Sequence, residues 1–97
     1  MIDLKFLLDS VPVGKDNAVT AAELCTRFGM SGRELRIAFE RLRRRGAVVC
    51  SCEHGFFKPE TVSELQSYIL RESKRARSVF FSLKSARALL KEWSEGA

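Results

Sequence analysis

The chain has 97 residues, 45% of them hydrophobic, and carries 17 Lys and Arg against 12 Asp and Glu, for a net charge of +5 and a pI near 9.5. That is one domain's worth of chain with a modest core, one that a partner chain would help, and its basicity favours nucleic acid or another anionic surface. No run approaches the ~20 apolar residues of a membrane span, and acids interrupt the apolar N-terminal stretch where a signal peptide would be uncharged, so a cytoplasmic protein is expected.

The positive charge falls in two blocks. Residues 32–46 hold six Arg against two Glu, and residues 71–77 hold four bases against Glu72. Cys25, Cys50 and Cys52 are an odd number in a chain without an export signal, so reduced thiols are expected.

From Ile2 to Val11, the positions of Ile2, Phe6, Leu7, Leu8 and Val11 predict a short amphipathic helix ended by Pro12 and Gly14. Lys15-Asp16-Asn17 reads as a polar turn, and Ala18-Val19 as a stub of extended chain. Thr20 with Glu23, and Ser31 with Glu34, then have the spacing of capping boxes, in which the hydroxyl and the glutamate each accept from a backbone N–H that a helix start leaves without a partner. Two helices are therefore predicted. They are separated by Phe28-Gly29-Met30, where Gly29 supplies a left-handed stop, and Gly46 closes the second behind Arg43-Arg44-Arg45.

The faces of these helices differ. Ala21, Leu24, Cys25 and Phe28 share one face of the first at core spacing. In the second, Leu35, Ala38, Phe39 and Leu42 form a stripe to be buried, and Arg33, Arg36, Ile37, Glu40 and Arg44 form the stripe opposite. A solvated face usually mixes both signs, whereas this one is dominated by arginine and includes an exposed isoleucine. Arginine can bond guanine O6 and N7 bidentately and an apolar side chain can rest on a thymine methyl, so the mixture suits a reader of the DNA major groove.

Ala47 to Cys52 is rich in β-formers, Glu53-His54-Gly55 reads as a turn, and Phe56-Phe57-Lys58 returns before Pro59. This predicts a hairpin with Val48, Cys50 and Cys52 on one face and Val49 and Ser51 on the other. A lone hairpin is marginal in water, so it should lean on the helices, with Ala18-Val19 available as a third strand.

The order helix, stub, helix, turn, helix, hairpin over residues 2–58 resembles the winged helix-turn-helix family, in the compact form of the biotin repressor's DNA-binding domain and of small phage proteins. Val19-Thr20-Ala21-Ala22-Glu23-Leu24, Phe28-Gly29-Met30-Ser31, Leu35, Phe39, Leu42, Gly46 and Gly55 carry the likeness. The resemblance implies that the Arg-rich helix enters the major groove with its Ser31 end nearest the bases, while the hairpin tip touches the backbone or the minor groove. One departure is a tip without Arg or Lys; only His54 and Lys58 are near it. The fold expected is thus mainly α with a small β-hairpin, a winged domain over 1–58 followed by a long helix over 59–97.

That last helix begins at a third capping-box spacing, Thr61 with Glu64, and meets no further Pro or Gly until Gly96. At about 50 Å it is too long to pack on so small a domain. Val62, Leu65, Ile69, Glu72, Ala76, Val79, Leu83, Ala86, Leu90 and Trp93 step by three and four, a heptad seam with Glu72 as its one charge, and a homodimeric coiled coil is the expectation. Leu70, Phe80, Phe81 and Leu89 lie off the seam. A break near 71–78 is the alternative to a continuous helix.

The function expected is sequence-specific binding of double-stranded DNA by a dimeric bacterial or phage transcriptional regulator, nucleoid-associated when bound. Arg33, Arg36, Ile37 and Glu40 are assigned to bases, and Thr20, Ser31, Arg41, Arg43, Arg44, His54 and Lys58 to the backbone. Arg71, Lys74, Arg75 and Arg77 are read either as a solvated surface or as phosphate contacts outside that footprint. The alternatives are a phage replication or packaging accessory, or a protein-interaction module that modulates a host complex. Cys50, Cys52 and His54 do not have zinc-ligand spacing, and one histidine without a phosphate loop or an acid pair offers no catalytic set. No metal, cofactor, small-molecule substrate or enzymatic activity is expected.

Overall fold

Local chemistry sets the helix starts in the computed structural model, which describes residues 3–96. Asp3 caps α1 (Leu4–Asp9) by accepting the Lys5 N–H, and Thr20 caps α2 (Ala21–Phe28) by accepting the Glu23 N–H at 3.1 Å. Ser31 and Glu34 close a complete reciprocal box at the head of α3 (Gly32–Arg44), both bonds at 3.1 Å. The Thr20 box is thus half of what its spacing predicts. Thr61 caps α4 (Val62–Ser82) through the Glu64 N–H, while the Glu64 carboxylate accepts instead from Glu60, one residue further out.

The stops are equally local. Gly29 takes the left-handed conformation after α2, so only three residues separate the two helices. Behind α3 the Gly46 and Ala47 N–H groups return to the Arg43 and Leu42 carbonyls, the Schellman pattern.

The core lies where α1, α2 and α3 meet the hairpin of β1 (Cys50–Cys52) and β2 (Gly55–Phe57), which is antiparallel with Cys50 opposite Phe57. Leu7, Val11, Val19, Leu24, Leu35, Ala38, Phe39, Leu42 and Val49 are its buried members. The expected stripe of α3 is the buried one. In α1 the buried face differs from the expectation: Leu4, Leu7, Leu8 and Val11 point inward, whereas Phe6 is 64% exposed. Those four recur at three- and four-residue steps, and Phe6 falls outside them. Ile2, placed on that face by sequence, lies outside the described residues. Ala21 in α2 is likewise exposed rather than part of the core face.

The Ala18-Val19 stub does pair with the hairpin. Val19 and Phe56 exchange both backbone hydrogen bonds, at 2.9 and 2.8 Å, and Val13 bridges Lys58 at the hairpin's base. Gly55 allows this: its φ is +125°, and a Cβ there would collide with the Val19 carbonyl.

Both hairpin faces are covered. Val49 and Phe56 lie toward α3, with the Phe39 and Phe56 rings 4.5 Å apart, while α4 crosses β1 on the side of Cys50 and Phe57. That double cover buries the adjacent residues Val49 and Cys50 together. Burial pushes the Cys50 thiol and the Tyr68 phenol above their ordinary values.

Beyond its first three turns α4 leaves the body and is followed by α5 (Lys84–Gly96), so the C-terminal helix is long and bent. The joint is at Leu83, not in the polar stretch 71–78. The Leu83 N–H reaches back three residues to Phe80, the Ser82 hydroxyl bonds the Val79 carbonyl at 2.6 Å, and Arg87 donates to the Phe80 carbonyl across the joint. Serine back-bonding of this kind bends helices. No helix among the described residues is long and apolar enough to cross a membrane.

Candidate nucleic-acid interface

Because Leu35, Ala38, Phe39 and Leu42 fix the inward side of α3, its helical period turns Arg33, Arg36, Ile37, Glu40 and Arg44 outward, and all five are exposed. Ser31 and Thr20 hold the heads of α3 and α2, their hydroxyls engaged in capping. The Ser31 N–H, followed by the Ser31 hydroxyl, holds the Glu34 carboxyl below its usual range, so Glu34 stays anionic in the first turn of α3. Glu40 and Arg44 pair at 2.8 Å across one helical turn. Both are well exposed, so the pair is readily exchanged for other partners.

Ile37 also lines a groove of about 600 Å³ between α1 and α3. Leu4, Leu8, Met30, Ala38 and Leu42 share the lining, with Lys5, Arg41 and Arg45 among the charges around it. Lys5 is not named in the sequence reading, and Arg45 enters it only in the cationic run at the end of α3, with no part in a groove. Nothing local marks them, since their approach depends on how α1 crosses α3.

Two assigned backbone contacts, Arg43 and Lys58, are placed differently from the expectation, and His54 is placed as expected. Arg43 turns away from the outward stripe: its Nε and one terminal nitrogen donate to the Val49 carbonyl at 3.1 and 2.8 Å, with the guanidinium 6.0 Å from both the Phe39 and Tyr68 ring centres. Its charge is used to tie α3 to the hairpin beneath α4. Lys58 sits at the base of the hairpin, bonded through its backbone to Pro12 and Gly14, not near the tip. His54 is at the tip and exposed, but beside Glu53, whose carboxylate is 3.5 Å from its Nε2. The tip therefore offers little positive charge.

The heptad seam divides in two. Leu65 is half-buried, as are Glu64, Tyr68 and Glu72, on the part of α4 that crosses β1, where Glu64 and Tyr68 line a groove with Cys52 and Phe57 of the hairpin. Further along, Ile69, Val79, Leu83, Leu90 and Trp93 are 46–68% exposed, as are Leu70, Phe80 and Phe81 off the seam. Val62 is 72% exposed ahead of the docked turns, and Ala76 and Ala86 are exposed on the outer part. No group of three or more His, Cys, Asp or Glu suited to a metal ion occurs among the described residues.

No family model, curated protein or solved structure matches the chain.

Proposed function

We propose that residues 3–58 form a winged helix-turn-helix domain that binds double-stranded DNA in a sequence-specific manner, with α3 as the major-groove reader and the outer C-terminal helix joining two copies. The chain would then act as a small bacterial or phage transcriptional regulator. The observation that carries the reading is the outward stripe of α3. Arg33, Arg36, Ile37 and Glu40 stand exposed in one line on a helix whose opposite side is buried and whose head follows a three-residue turn. The pairing of Val19 with Phe56 supports the winged topology by tying the hairpin to the start of α2.

In this reading Arg33 and Arg36 select bases, Arg41 and Arg44 hold phosphates, and Arg43 braces the domain. The test is a selection of duplexes from a random pool, repeated with Arg33→Glu and Arg36→Glu in the full chain. Enrichment of an inverted repeat by the parent chain and its loss in the variant support the reading. A chain that binds no duplex at low salt ends it.

The reading as a protein-interaction module is favoured by one observation, the apolar lining of the groove between α1 and α3. It predicts that charge reversal at Arg33 and Arg36 leaves function untouched.

A further inference from the structure

Between Ser73 and Lys91 the chain carries six bases, Lys74, Arg75, Arg77, Lys84, Arg87 and Lys91, and no acid. This is the shaft that stands away from the body, and every one of its residues is exposed. A helix face that only serves solubility alternates its charge signs, and a shaft that only pairs with its own copy places like charges side by side. The surface therefore lacks the anionic half of an interaction.

Its cations are not evenly arranged. Leu70, Lys74, Arg77 and Phe81 recur at steps of four, three and four and make one stripe along α4, with Lys84 opening α5 just past the joint. At about 100° per residue, this stripe lies roughly half a turn from Leu65, Tyr68 and Glu72, the half-buried face of α4 where it crosses β1. It therefore points away from the body, and it is not the heptad seam. Arg75 is close to Glu72 and Arg87 is stacked on Phe80 at 4.3 Å, so their charges have partners within the chain. Lys74, Arg77 and Lys84 make no ion pair among the described residues. Between Arg77 and Lys84 stands Phe81, 68% exposed, its neighbour Phe80 meeting it edge-on.

We propose that this stripe is a second nucleic-acid surface, specific for single strands and indifferent to sequence. Lys74, Arg77 and Lys84 neutralise successive phosphates, and Phe81 offers its ring to an unstacked base. A duplex keeps its bases stacked inside and leaves Phe81 unused, whereas a single strand engages both the cations and the ring. The surface stands beside the α3 reading and does not depend on which duplex α3 selects.

The test uses the full chain, one mixed-sequence oligodeoxynucleotide in single-stranded form and the same sequence as a duplex, with binding followed by fluorescence anisotropy across a salt series. In the Arg33→Glu, Arg36→Glu chain, single-strand binding persists. Adding Lys74→Glu, Arg77→Glu and Lys84→Glu weakens it at least tenfold and flattens its salt dependence, each lost contact removing about 0.7 from the log–log slope. Phe81→Ala alone weakens single-strand binding about tenfold and leaves duplex binding and sedimentation unchanged. The proposal is overturned if the parent chain binds no single strand, or if the shaft substitutions leave such binding intact. Capture of the chain by phosphatidylserine vesicles in place of the single strand also overturns it, since a basic helix with an apolar face can lie on anionic lipid. If reversing Arg33 and Arg36 leaves duplex selection unchanged while the shaft variants lose the single strand, the α3 reading fails and this one stands.

Discussion

Arg43 and Val49 are joined by two hydrogen bonds from one guanidinium to one carbonyl, 3.1 and 2.8 Å long, across the short connection between α3 and the hairpin. Val49 is almost fully buried, and the Arg43 guanidinium lies between α3 and α4, near Phe39 and Tyr68. One of a run of three arginines, still exposed along part of its length, thereby also serves as a brace between α3 and the hairpin.

Removing that brace should lower stability, not merely affinity. Arg43→Ala is expected to cost about 1–3 kcal/mol in urea unfolding, because a charge-assisted pair of bonds is lost and a carbonyl is left without its partner. Arg43→Lys should recover only part of this, since an ammonium lacks the planar fork. Arg44→Ala gives up an exposed ion pair and should change stability by only a few tenths of a kcal/mol. Equal unfolding midpoints for the alanine variants at positions 43 and 44 would show that the Val49 contact stabilises nothing.

Gly55 is the second structural weak point. Its φ of +125° disfavours any other L residue, and a methyl group there meets the Val19 backbone. Gly55→Ala should cost about 2 kcal/mol or more by combining backbone strain with loss of the Val19–Phe56 pairing. Amide exchange is the direct measurement: the Val19 and Phe56 N–H groups should lose protection first, ahead of those within α3.

Much of this was legible in the sequence because the signals are local. Capping needs only Ser31 and Glu34 at the right spacing, and the buried side of α3 needs only the helical period. The stub at Val19 follows from two residues of extended chain before a cap. Arg43 was not legible, since its partner Val49 reaches it only after the chain has turned at Gly46. On α1 the inward positions of Leu7, Leu8 and Val11 were legible, whereas Phe6 was placed where Leu4, one turn before Leu7 and Leu8, holds the geometrically consistent position. The joint at Leu83 is hidden for a related reason: an apolar seam residue reads as continuous helix, and the bend accompanies bonds made by Ser82 and Arg87 on either side of it. As for the outward stripe, its exposure was readable from period alone, but the groove that Ile37 shares with α1 was not.

The Ser31–Glu34 box makes a pH prediction. The Ser31 N–H, and after it the Ser31 hydroxyl, lower the Glu34 pKa, so the folded chain holds the carboxylate more firmly than the unfolded chain does. A lowered folded value means the stabilisation is fully present above the unfolded pKa and disappears as pH falls through the folded one. Glu34→Gln keeps an acceptor for the Ser31 N–H but cannot titrate. The parent chain should therefore melt above the variant at neutral pH, and the gap should close as the solution is acidified through the carboxylate range. A gap that stays constant with pH would rule out Glu34 as its source.

The two parts of the heptad seam should respond to substitution in opposite ways. Leu65 is half-buried on the part of α4 that crosses β1, so Leu65→Ala should lower the urea midpoint by the equivalent of about 1–2 kcal/mol and leave the oligomeric state alone. Leu83, Leu90 and Trp93 have no comparable cover: they are 46%, 64% and 68% exposed, and with Ile69 and Val79 they leave the apolar seam open along the outer helix. Leu83→Ser with Leu90→Ser should therefore convert a sedimenting dimer into a monomer whose helices near the hairpin remain folded. Trp93 supplies an independent signal because it is the only tryptophan in the chain and is 68% exposed in a single copy. Its emission should be blue-shifted in the parent chain at dimer concentrations and should move to the solvent-exposed value on dilution or in the double variant. A solvent-exposed spectrum at every concentration, together with unchanged mass for the double variant, would mean that this seam does not join two copies. The spacing of any paired α3 helices would then have to be set by something other than α5.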